Sequence, residues 1–126
     1  MIGDSAGLNN NASSNVFIGG KSVFANKNGI QNTFVGFRAG FETYVDGNTF
    51  VGFQSAQTNT SGVGNTFFGT NSGQGNVTGN NNTFVGNGAG PASSNTDDNV
   101  YIGFNTGNHD SGSRNTLLGP MPLHRT

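Results

Sequence analysis

The sequence predicts an all-β chain: a parallel β-solenoid (β-roll) of 16–17-residue coils, assembled as a parallel homotrimer. Three observations predict it. A short motif recurs at near-constant spacing, its residues favour strands and tight turns, and its strand is apolar on both faces. The motif is Asn48-Thr49-Phe50-Val51-Gly52, and Asn32-Thr33-Phe34-Val35-Gly36 repeats it. Asn15-Val16-Phe17-Ile18-Gly19, Asn65-Thr66-Phe67-Phe68-Gly69, Asn82-Thr83-Phe84-Val85-Gly86, Asn99-Val100-Tyr101-Ile102-Gly103 and Asn115-Thr116-Leu117-Leu118-Gly119 are variants. A unit this short cannot bury its own apolar face, so copies must stack.

The elements follow in order. Residues 1–14 read as a partial coil, since Gly3 lies 16 before Gly19 and Ala6-Gly7 matches Ala39-Gly40 and Ala89-Gly90. Such a mid-repeat start suggests a fragment of something longer. Coils at 15–31, 32–47, 48–64, 65–81, 82–98 and 99–114 come next, and 115–119 is a final strand. Residues 120–126 form a non-repeat tail, where Pro120 and Pro122 cannot donate ladder hydrogen bonds. Within each coil the Asn-Thr-Phe-Val stretch predicts a strand and the glycine a turn. A second short extended piece and a polar return loop complete the coil. No segment has the three-four spacing of a helix.

Composition narrows the function. Only 31% of residues are apolar, and there are 22 Gly and 21 Asn, a balance that by itself points towards disorder. The near-neutral charge of −1 and 11 Phe, recurring in register, argue for an ordered repeat. With five Lys+Arg against six Asp+Glu, no basic stripe exists to follow phosphates, so nucleic acid is not an expected partner. No apolar run reaches the ~20 residues of a membrane span, so this segment is not expected to insert into one. Cysteine is absent, which removes disulfides and thiolate metal sites.

Stacking turns each repeat position into a column. Gly3, Gly19, Gly36, Gly52, Gly69, Gly86, Gly103 and Gly119 form one, at a corner too tight for a Cβ. Asn15, Asn32, Asn48, Asn65, Asn82, Asn99 and Asn115 form a second, with amides bonding from coil to coil. Neighbouring strand residues face opposite ways, which yields two apolar columns. Phe17, Phe34, Phe50, Phe67, Phe84, Tyr101 and Leu117 make one. Ile18, Val35, Val51, Phe68, Val85, Ile102 and Leu118 make the other. A narrow coil favours Val and Ile as its filling, which assigns the Phe column to an inter-chain surface. The reverse assignment, Phe inside and Val/Ile outside, also leaves an apolar column in water. Either way the chain is expected to partner itself, as a trimer or as trimers stacked end to end into a filament.

The Asn-Thr-Phe-Val-Gly units, followed by Ala-Gly as at Ala39-Gly40, resemble the head repeats of trimeric autotransporter adhesins and related repeats in bacteriophage tail fibres and bacterial surface proteins. The resemblance runs to Gly119, and departs from the adhesin pattern in a longer period and in Phe where a smaller residue stands. It implies a trimer of β-rolls serving as an extracellular or cell-surface spacer and adhesive surface, or as part of a virion tail fibre.

Candidate sites are few. Asp97, Asp98, His109 and Asp110 are the one concentration of titratable groups, with ligand types suited to a divalent cation. A solvated loop face is the plainer reading, so neither metal nor other cofactor is expected. Nothing marks a nucleophile elbow or a metal-binding helix, and the chain is not expected to be an enzyme. The Thr column at 33, 49, 66, 83 and 116 suggests ice-binding solenoids, but Val16 and Val100 interrupt it. Phe24, Phe41 and Tyr44 lie in the return loops, off the repeated columns, as candidate contacts for a host glycan or surface receptor.

Overall fold

The computed structural model describes residues 1–92 and 95–120. Of the non-repeat tail expected at 120–126, the residues from Met121 onward lie outside them. Seven three-residue strands form one parallel sheet in sequential order: β1 (Val16–Ile18), β2 (Thr33–Val35), β3 (Thr49–Val51), β4 (Thr66–Phe68), β5 (Thr83–Val85), β6 (Val100–Ile102) and β7 (Thr116–Leu118). Register is that of the repeat, so Phe17 pairs with Phe34, Phe34 with Phe50 and Phe50 with Phe67. Ile2 adds a single bridge to Ile18. This is a β-solenoid of about six coils, all-β, with no helix among the described residues.

The extended piece expected after the glycine is a succession of turns. Left-handed residues recur there, as at Arg38, Gly40 and Gly47 of one coil. Backbone hydrogen bonds nevertheless run from coil to coil through these turns, as from the Arg38 N–H to the Gly20 carbonyl and from the Gly40 N–H to the Ser55 carbonyl. Many of the backbone polar groups of the loops are thereby satisfied.

The corner column is glycine for two reasons. Its eight members have φ between +100° and +143°, a region closed to side chains. A Cβ on Gly19 would also lie 2.6 Å from the carbonyl carbon of Gly36 in the next coil.

The interior assignment is the reverse of the elimination argument. Phe17, Phe34, Phe50, Phe67, Phe84 and Tyr101 are completely buried inside the coils. Leu117, at the same position of the last strand, is 39% exposed. Ile18, Phe68, Ile102 and Leu118 are exposed and Val35, Val51 and Val85 half-buried, so this column is the outer one. The physical reason is the shape of an aromatic ring. Successive rings stack at centroid distances of 4.6–5.4 Å with interplanar angles of 4–26°. A coil is one strand spacing thick, roughly 4.8 Å, and a flat ring fills that slot where a branched aliphatic does not.

Room across the coil comes from a second small-residue column, six positions after each ring. A Cβ on Gly40 would meet the Phe34 ring at 2.7 Å, and Gly73, Gly90 and Gly107 face Phe67, Phe84 and Tyr101 in the same way. Val23 and Ala56 take this position opposite Phe17 and Phe50, at φ of 45° and 51°. Both are buried.

The rest of the interior is largely polar and mostly hydrogen-bonded, although the Thr43 hydroxyl and the Asn76 side-chain oxygen have no partner among the described residues. The side-chain oxygen of each leading asparagine accepts from the N–H of the next: Asn32 donates to Asn15, Asn48 to Asn32, and so on to Asn115 on Asn99, at 2.8–3.0 Å. Its Nδ2 donates to a carbonyl near the end of its own coil, as Asn65 to Gly79 at 2.8 Å and Asn82 to Thr96 at 2.7 Å. The expected amide column is therefore real in position but bonds mainly to backbone. Amide meets amide in it between Asn82 and Asn65, at 3.2 Å. A second inner column, Asn26, Thr43, Asn59 and Asn76, went unread in the sequence. The Asn59 and Asn76 side chains close loops by donating to the Gly62 and Gly79 carbonyls at 2.9 and 3.0 Å.

Candidate assembly face and corner groove

Because Phe points inward, both of its strand neighbours point out. The outer face thus carries two columns: Val16, Thr33, Thr49, Thr66, Thr83, Val100 and Thr116, and beside them Ile18 through Leu118. No charged residue stands in either column. Column members one strand spacing apart shield one another's flanks, which leaves Val35, Val51 and Val85 half-buried. The larger Phe68 remains 57% exposed and Ile102 41%. This is a regular, uncharged strip with its most apolar members facing water.

The corner beyond the glycine column carries a different surface. Here the return-loop aromatics prove to be columns themselves. Phe24 stacks on Phe41 at 5.4 Å, and Phe37 on Phe53 at 5.6 Å. The Arg38 guanidinium lies between these columns, 5.0 Å from the Phe41 ring and 5.6 Å from the Phe37 ring, where the ring faces attract the cation. Tyr44 is half exposed. Towards the C-terminal coils the same corner positions change chemistry. Arg38 gives way to Asn71 and Asn105, and Phe41 to Gln74 and Asn108, while at the Phe37 position Asn87 is followed by Phe104. These carboxamides line a recess of about 230 Å³ that crosses three successive coils. Comparing like positions in the variable part of the repeat exposes this change in the sequence too.

The titratable candidates do not converge on a metal. No group of three or more His, Asp or Glu side chains able to hold an ion occurs among the described residues. Asp97 accepts from the Asn80 N–H at 2.7 Å, and Asp98 from the Asn81 side chain at 3.3 Å. Asp46 plays the part of Asp97 towards the Ile30 N–H, at 2.8 Å. Asp110 accepts from the Gly112 N–H at 2.8 Å, the Tyr101 hydroxyl at 2.8 Å and the Asn115 side chain at 3.0 Å. These carboxylates join coils or close loops. His109 is exposed, at the edge of a larger recess lined by Leu117 and Leu118. Burial, reinforced by the hydrogen bond to Asp110, pushes the Tyr101 phenol up to about 12.

Compared with family models, with curated proteins and with solved structures, the chain matches none.

Proposed function

We propose that this chain is a module of a rigid extracellular fibre or adhesin head, three parallel copies packing their outer strand faces together into a rod. The observation that carries the reading is the uncharged outer strip, apolar at Leu118 and Phe68 where it is most exposed. Covering side chains of this kind is worth about 1.5–3 kcal/mol each, and a strip repeated along the axis suits a partner with the same repeat. The resemblance of the motif to adhesin-head and tail-fibre repeats supports three-fold assembly and a place outside the cell or on a virion. The proposed role is mechanical and adhesive, not catalytic.

Sedimentation equilibrium is the test. A trimer mass is expected for the native chain, and a smaller species for Phe68→Lys. A folded monomer at all concentrations, or a Phe68→Lys variant of unchanged mass, would sink the reading.

A further inference from the structure

The amide-lined corner recess has properties that rod assembly does not call for. Its polar lining consists of carboxamides, Asn71, Gln74, Asn87, Asn105 and Asn108, with no charged side chain lining it among the described residues. Each carboxamide offers two donors and an acceptor with two lone pairs. One of these acceptors is already withdrawn from water. The side-chain oxygen of Asn71 is buried and has no hydrogen-bond partner among the described residues, a state that costs free energy. The floor is backbone-like, since Gly75, Gly88 and Gly90 bring no side chain into the recess. Lining residues come from the coils at 65–81, 82–98 and 99–114, so the recess runs along the solenoid axis.

We infer that this recess binds a neutral oligosaccharide laid along the axis. A ligand fitting it must exchange hydrogen bonds with several carboxamides at once, and must need no counter-charge. Chains of hydroxyls meet those demands. Phosphates, sulfates and uronates do not, because no Lys or Arg lines the recess among the described residues. Phe104, which is exposed, occupies the same repeat position as Asn87 one coil further on, so the carboxamide has an aromatic ring as its column neighbour on that side and Thr70 on the other. Such a ring gives sugar C–H faces an apolar seat.

Affinity electrophoresis of the full chain, through gels containing dextran, mannan or galactan, tests the inference. Retardation by at least one of these neutral polysaccharides is expected, and none by dextran sulfate or alginate. Gln74 and Asn87 are surface side chains away from the coil interior, so Gln74→Ala/Asn87→Ala is expected to keep the native circular dichroism and melting temperature. It should weaken retardation at least about tenfold, the loss of one to two net hydrogen bonds. Absence of retardation in all three gels would overturn the inference. So would undiminished binding by the double variant, or equal binding to the charged polymers. Each copy carries the whole recess, so these results stand whether the chain sediments as trimer or monomer.

Discussion

Phe50 and Val51 are adjacent in β3, equally apolar, and put to opposite uses. Phe50 is completely buried, its ring stacked 4.8 Å from Phe34 and 5.1 Å from Phe67. Val51 stands in the outer column, half-buried only by its own neighbours. The inner column is thus the main apolar mass of the core, packed with Val23, Ala39, Ala56 and Ala89, while the outer column is a surface in need of a partner. Apolar periodicity reveals that both exist. Side-chain shape decides which is which, since a ring matches the thickness of a coil. Stability should therefore reside in the inner column and association in the outer one.

The largest break in that division is expected from Phe50→Ala, which opens a cavity with no neighbour able to slide into it. A loss of about 3–5 kcal/mol is expected, read by denaturant unfolding. Asn65→Ala should follow, at about 2–3 kcal/mol. It strands the buried Asn82 N–H and Gly79 carbonyl that the side chain joins. Gly73→Ala, which drives a methyl into the Phe67 ring from a left-handed residue, should cost about 1–3 kcal/mol. Ala56→Gly at the like position should instead be neutral or stabilise by up to about 1 kcal/mol.

A smaller effect should come with pH. The Tyr101 phenol, raised from 10.0 to about 12, favours the folded state while it stays protonated. Its contribution is complete below pH 10 and lost as pH rises towards 12, because the unfolded chain releases that proton first. Unfolding curves should show this decline in the native chain and not in Tyr101→Phe. The smallest effect should be that of Phe68→Lys on the stability of the isolated chain, within about 0.5 kcal/mol. A multi-kilocalorie loss in the monomer would erase the division between the columns.

Architecture and register were legible because Asn, Thr/Val, Phe and Gly recur at steps of 16 or 17. The glycine corner was legible because glycine in every copy has a local cause. What misled was treating a Phe as a bulky object in a narrow tube, when the small residue six positions on was the sign of a slot cleared for it. Val23 and Ala56 blurred that sign by breaking the glycine column in two coils. The second inner column was hidden because Asn26, Asn59 and Asn76 are scattered in a chain rich in asparagine, where composition drowns position. The corner groove was obscured because its aromatic and amide halves share positions but no chemistry.

The asparagine clasp has a direction, and that direction bears on how the chain is made. The side chain of Asn32 ties the end of its own coil through Val45, yet its oxygen waits for the N–H of Asn48. A coil is thus locked by the first residue of its successor. Each closure spans only one repeat, so the entropic cost of every step is small and no distant segment is required. A solenoid of this kind can wind up behind the ribosome as it is synthesised, each finished coil serving as the template on which the next is laid.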